Sequence, residues 1–199
     1  MQGITRRLAG VGVGVLLGLG LTQSAVAQTK GVEINGFAGI YAPTPTGGQQ
    51  GDLQAVRRRS LAWGGRFTYW TTNTLGLEFT GAFSPARVKV ASTAGAFARS
   101  TRVLAASGKV VFNLTPTSKR FGISLGGGPA VIHTQKTLVD PTASTTKVGG
   151  VGGLTLRIHL MDKLSLRGDA EDYLYSADFG KGSKLTNDLW FTGGISIHF

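Results

Sequence analysis

The chain has no cysteine among its 199 residues. That excludes a disulfide scaffold and a thiolate metal site. Acidic residues are scarce, 10 against 21 Lys and Arg, and the formal net charge is +11. Histidine is scarcer still. His133, His159 and His198 fall on different segments at different heights, which speaks against the convergent ligands a metal centre requires. Beyond the N-terminus no apolar run approaches the ~20 residues of a membrane helix. Mean hydropathy is only +0.08. A β-barrel conceals its membrane signal by alternation, so a low mean value does not exclude one. No nucleic-acid-binding module accompanies the basic charge, and Gly126-Gly127-Gly128 and Gly149-Gly150 match no phosphate-loop pattern. No cofactor, metal or nucleic acid is therefore expected.

Met1–Ala27 is a separate unit. Arg6 and Arg7 form a basic start, Leu8 to Leu21 an apolar stretch, and Ala25-Val26-Ala27 a small-residue cleavage site. These three parts make a secretory signal peptide, cut before Gln28. Its removal lowers the net charge to +9 and leaves residues 28–199 as one domain.

That domain alternates with a two-residue period, so its segments are strands. In Gly31 to Tyr41, Val32, Ile34, Gly36, Ala38 and Ile40 share one face, while Glu33, Asn35 and Phe37 share the other. Ser60 to Trp70 puts Leu61, Trp63, Phe67 and Tyr69 on the apolar side and Arg66 opposite. Leu75 to Phe83 does the same with Leu77 and Phe79 against Glu78. Thr101 to Leu114 sets Lys109 against Leu104, Val110 and Phe112. Phe121 to His133 follows, interrupted by Pro129, where a bulge or break is expected because proline cannot donate to a ladder. Val148 to Leu160 and Leu164 to Tyr175 flank a three-residue turn, Met161-Asp162-Lys163, which should set Leu160 opposite Leu164 and Ile158 opposite Leu166. The last segment, Asp188 to Phe199, places Leu189, Phe191, Ile195, Ile197 and Phe199 on one face.

Eight segments result. Long gaps (42–59, 84–99, 134–147 and the stretch after Tyr175) alternate with short turns, the pattern of long outer loops and short periplasmic turns in a membrane barrel. The rival is a soluble eight-stranded barrel with its apolar residues around a ligand cavity. Aromatics near the turn ends (Trp70, Phe121, Phe199) favour the membrane. The opening G-V-E-I-N-G-F-A-G-I-Y, the L-S-L-R-G-D-A-E stretch at Leu164 and the closing G-I-S-I-H-F resemble the small outer-membrane barrels that include the transmembrane domain of OmpA, OmpX and opacity-type proteins. The resemblance covers the whole mature chain. It implies an all-β, eight-stranded antiparallel up-and-down transmembrane barrel in the outer membrane. It also implies a monomer in contact with outer-membrane lipid and lipopolysaccharide, and a terminal Phe199 recognised by the barrel-assembly machinery. A periplasmic peptidoglycan-binding domain, as in full-length OmpA, is missing.

The polar face carries Glu33, Arg66, Glu78, Lys109, Arg157, Arg167, Asp169 and Glu171, four acids against four bases. A barrel of eight strands encloses little more than its own side chains. Lone buried charges cost several kcal/mol, so these should pair into a plug. Pairing between neighbouring strands is expected: Arg66 with Glu78, and Asp169 bridging Arg157 and Arg167. Asp172 falls on the apolar parity, near the outer rim. The long gaps are basic, with Arg57, Arg58 and Arg59 closing the first, Arg87, Lys89 and Arg99 in the second, Lys136 and Lys147 flanking the third, and Lys181 and Lys184 in the fourth. They suit lipopolysaccharide phosphates or acidic surface polysaccharide.

For function the expectation is a structural or surface-interaction protein of adhesion or opacity type. The alternative is a narrow OmpW-like channel for small or hydrophobic solutes. Ser196-Ile197-His198 invites comparison with the eight-stranded lipid A deacylases. The reversed order and inward parity argue against it, and no enzyme is expected.

Overall fold

In the computed structural model, residues 31–44, 48–50, 53–57, 59–92, 95–115, 120–135, 144–178 and 183–199 are described, with backbone only at 48–50, 53–57, 87–92, 95–100, 177–178 and 183–184. The signal peptide Met1–Ala27, Arg58, Lys136 and Lys181 lie outside the described residues.

Twelve strands are described: β1 Gly31–Pro43, β2 Gly48–Gln50, β3 Leu53–Arg57, β4 Ser60–Trp70, β5 Leu75–Ser84, β6 Arg87–Ser92, β7 Gly95–Ser100, β8 Arg102–Asn113, β9 Phe121–Gln135, β10 Ser144–Met161, β11 Leu164–Asp178 and β12 Ser183–His198. Eight of them close a barrel in the order β1-β12-β11-β10-β9-β8-β5-β4. Every neighbouring pair is antiparallel, and each barrel strand pairs with the next barrel strand in the chain. This is the up-and-down barrel expected from the alternation. Closure comes from the ends of the chain. Phe199 N–H donates to the Val32 carbonyl at 2.9 Å, and Val32 N–H to the Phe199 carbonyl at 3.3 Å.

Burial decides between the two barrel readings. Leu61, Phe79, Phe112, Phe121, Leu156 and Ile195 lie outside, 51–68% exposed, and the polar-face charges lie inside. A soluble barrel around a ligand cavity would reverse this. An apolar wall of this extent far exceeds the patches a water-soluble surface carries.

Two local devices set the registers. At the turn after β4, the Thr72 hydroxyl accepts from the N–H groups of Thr74 at 3.2 Å and Leu75 at 2.9 Å, a side chain standing in for backbone. At the turn before β11, the register shifts between His159 and Met161, so Met161, not Leu160, stands opposite Leu164. The expected three-residue turn is thus a two-residue turn with a bulge, which lets Leu160 and Met161 both face outward; the Ile158–Leu166 pair stands as expected.

Other expectations need correction. Pro129 makes no bulge, and the local break expected there is confined to one side: β9 keeps one register throughout, and Pro129 pairs with Gly150. Only the β8 ladder lapses, between Ser107–Ala130 and Val110–Gly127, because the missing N–H falls on that side. The first two long gaps are not loops throughout. β2, β3, β6 and β7 form a second sheet in the order β2-β3-β6-β7, with β3 of the first gap paired to β6 of the second. Their few alternating residues look like loop until a distant partner completes the ladder. β10 begins at Ser144, so Lys147 belongs to the wall. Trp70 turns into the bore, where its indole N–H donates to Glu33 Oε2 at 3.3 Å. It is not an interface aromatic.

Phe37 shows how the wall accommodates one bulky inward ring. Its partners on either side are Gly194 and Gly64. A Cβ at Gly64 would lie 2.6 Å from Phe37 Cζ and 2.9 Å from Ala82 Cα, whereas one at Gly81 meets nothing within 4 Å. Gly64→Ala is expected to lower the stability of the detergent-folded barrel by about 1–3 kcal/mol. Gly81→Ala should leave it within about 0.5 kcal/mol. Urea unfolding midpoints followed by tryptophan fluorescence check the contrast.

Candidate functional site

All eight polar-face charges expected from the sequence meet in the bore, each no more than 6% exposed. Register brings them level, and the narrow interior brings them together. Glu33, Thr68, Glu78 and Lys109 form one row across β1, β4, β5 and β8. Opposite, β11 supplies Arg167, Asp169 and Glu171 at successive inward positions.

The pairs cross the bore. Arg167 Nη1 reaches Glu78 Oε2 at 2.7 Å, and Arg66 Nη2 reaches Glu171 Oε2 at 3.0 Å. Lys109 Nζ bonds Glu78 Oε1 at 2.7 Å and also bonds Glu171. Asp169 takes Arg167 Nη2 at 2.7 Å and Arg66 Nη1 at 3.2 Å, and accepts from the Thr155 hydroxyl at 2.6 Å. Arg66 and Glu78, expected as partners, form an ion pair, but a long one at 3.9 Å. Arg157 and Arg167 are paired residues on adjacent strands, as expected, but Glu33 bridges them and Asp169 does not. The Glu33 carboxylate accepts from Arg157 at 2.9 Å and lies 3.4 Å from Arg167. Adjacent-strand reasoning missed these partners because a long side chain spans an eight-stranded bore as easily as it reaches its neighbour.

Rings brace both ends of the network. The Arg66 guanidinium lies 3.9 Å from the Phe37 ring centroid, and that of Arg157 lies 5.5 Å from Trp70. Toward the long-connection end stands a second layer that sequence reasoning did not pick out. Tyr41 and Tyr175 both donate to Asp188 Oδ2 at 2.8 Å. Trp190 packs between Tyr41 and Tyr173, with ring centroids at 4.9 and 5.9 Å, and Lys147 Nζ lies 5.1 Å from the Tyr175 ring. Tyr41, Asp188, Tyr173 and Trp190 are each at most 1% exposed. The signal was present: Asp188 and Trp190 share the inward parity of the last strand.

The histidines divide. His133 faces outward and hydrogen-bonds Thr146 at 2.8 Å. His159 and His198 do not stand at different heights, as the sequence suggested. Barrel stagger brings their rings to 5.6 Å at the short-turn end. His198 Nε2 bonds the Ser165 hydroxyl at 2.8 Å, whereas Ser196 accepts from Asn35 Nδ2 at 3.0 Å. Among the described residues no three metal-ligating side chains gather. Asp172 holds the outward register expected and accepts from Asn187 Nδ2 at 3.3 Å. Of the basic residues in the first gap, Arg59 is exposed just before β4, Arg57 ends β3, and Arg58 is outside the described residues. Phe199 is 71% exposed at the closing seam.

A closed eight-stranded wall, apolar outside and ionised within, is the fold of the small outer-membrane β-barrels. Among solved structures the chain is similar to outer membrane protein OprG from Pseudomonas aeruginosa, with a TM-score of 0.62 and 17% identity over 86% of this chain and 97% of that one. It is similar also to the N-terminal barrel domain of Pseudomonas aeruginosa OprF, with a TM-score of 0.55 and 11% identity over 85% and 97%. A third is Ail, the attachment invasion locus protein of Yersinia pestis, in complex with the heparin analogue sucrose octasulfate, with a TM-score of 0.51 and 12% identity over 85% and 98%. No protein-family model matches the sequence, and no curated protein is significantly similar to it.

Glu33 is the acid whose loss the network tolerates least, since it alone separates Arg157 from Arg167. Glu33→Gln is expected to cost about 3–5 kcal/mol, because two buried guanidiniums would lose their shared anion. Denaturant midpoints of the folded barrel, compared with those of the exposed control Asp162→Asn, test this.

Proposed function

We propose that the chain is an integral outer-membrane barrel with a sealed interior, working at the cell surface in structural or adhesive contact. The observation that carries this reading is the bore. Eight ionised side chains engage one another across it, and an aromatic layer covers them toward the long-connection end. A wall so filled offers solutes no ready path, which leaves the surface-facing end as the place of work.

The rest of the reading agrees with this. Residues 1–27 direct export and are removed, Phe199 serves the assembly machinery, and the barrel acts as a monomer in outer-membrane lipid. The short turns face the periplasm and the long connections face out. Arg57, Arg58 and Arg59 close the first long connection in the sequence, and Arg59 and Arg102 are exposed at that end. The partner class is a polyanion: the phosphates of lipopolysaccharide or an acidic surface polysaccharide. Ail, whose fold is similar, was solved with a sulfated heparin analogue, and anions of that kind suit the cations here.

Two measurements test the reading. Protein reconstituted in planar bilayers is expected to show no steady conductance, and regular openings would favour the channel. The detergent-solubilised protein is expected to bind heparin in low salt and to release it as ionic strength shortens the Debye length. Replacing Arg57, Arg58 and Arg59 together by Ser should lower the eluting salt concentration, and an unchanged elution would remove the basic cluster from the account.

A further inference from the structure

We propose that the outer wall holds a site for one anionic lipid of the outer leaflet. An acyl chain lies in a recess beside Trp63 and Phe83, and the headgroup phosphate is bound by Arg102. The inference rests on the membrane reading above and adds a particular ligand and place to it.

The recess follows from register. Trp63, Phe83, Leu104 and His133 form one outward row across β4, β5, β8 and β9. The next outward row toward the short turns is Gly65, Gly81, Ala106 and Val131, and the one after begins Phe67, Phe79 and Gly108. Two glycines and an alanine thus sit between rows of large rings. The wall is dented there, leaving a recess of about 420 Å³ with Gly81 and Ala106 on its floor and Trp63, Phe83, Leu104 and His133 at its sides. The Trp63 and Phe83 rings, 5.0 Å apart and tilted 54°, form one rigid side. A flexible acyl chain fits such a shape, since it gains contact on several sides without needing a polar partner.

Charge complementarity selects the headgroup. Arg102 lies on the same outward face of β8 as Leu104, roughly 7 Å further toward the long-connection end. It is exposed and has no ion-pair partner among the described residues. Arg59, also exposed, stands just before β4 at the same end. A cation directly above an apolar recess, on the lipid-facing side, matches a phosphate joined to acyl chains. Guanidinium binds phosphate through paired N–H donors, which a zwitterionic headgroup shielded by choline answers less well.

The same dent would also admit a second copy of this chain, packing small residues against its rings. The lipid is favoured because Arg102 would face its own counterpart or apolar wall in such a pair, with no acidic side chain among the described outward residues of β4, β5, β8 and β9 to receive it.

Trp63 reports directly. Of the three tryptophans, Trp70 and Trp190 turn into the bore, so a quencher in the acyl region reaches Trp63. The barrel is folded into phosphatidylcholine vesicles carrying a minor fraction of either phosphatidic acid or phosphatidylcholine with brominated acyl chains. Brominated phosphatidic acid is expected to quench several-fold more strongly at equal mole fraction. Arg102→Gln should bring it down to the phosphatidylcholine level. Gly81→Leu should do the same by filling the recess, and the wall has room for the new Cβ, which meets no atom within 4 Å. Equal quenching by both lipids in wild type, or a preference that survives both substitutions, overturns the proposal. So does a preference that disappears with rising protein density while cross-links form across the Trp63 face, which would assign the recess to a second copy. Absence of a migration shift between boiled and unboiled samples would overturn the membrane reading and this site together, whereas equal quenching in a barrel that does shift overturns the site alone.

Discussion

Everything in this barrel depends on charge compensation across a bore filled by its own side chains. Each arginine or lysine inside would cost several kcal/mol if left alone. None is left alone: Glu78 receives Lys109 and Arg167, Glu171 receives Arg66 and Lys109, and Glu33 keeps Arg157 and Arg167 apart. Because donors on β4 and β8 meet acceptors on β11, the pairs tie opposite walls together. The barrel cannot widen or shear without separating several of them at once. The network is thus a constraint on shape as well as a filling.

The outer face follows from the same alternation. A strand that turns Arg66 and Thr68 inward must turn Phe67 and Tyr69 outward, and the pleat allows no other arrangement. Ion-paired interior and apolar exterior are therefore one property seen from two sides. The departures from it are informative. Asp172 breaks the outward pattern near the rim, where it accepts from Asn187, which in turn accepts from the Thr44 hydroxyl. Gly81 and Ala106 break it by being small, and they floor the recess beside Trp63.

Parity was easy to see in the chain, and partners were not. The two-residue period assigned the eight inward charges to one face because each strand carries its own record of in and out. Which carboxylate meets which guanidinium depends on stagger and bore width, neither of which is written in any one strand. The pairing of Asp169 with Arg66 instead of Arg157 has this cause, as does the meeting of His159 with His198. Trp70 was visible as a residue but not as an interior group, since it closes its strand beside a turn, and Asp188 carried the inward parity without any local sign of its partners Tyr41 and Tyr175. The small sheet of β2, β3, β6 and β7 was hidden for a related reason. Short alternations become strands only when a distant segment supplies the ladder.

By itself the sequence determined the eight barrel strands, the inward and outward sets, the alternation of long and short connections, and the balance of acids and bases. These are local matters of period and composition. Only tertiary structure decided the ion pairs, the aromatic layer on Asp188 and the dent in the wall. Those arise where strands far apart in the chain are brought level by barrel stagger, and no local pattern encodes the stagger.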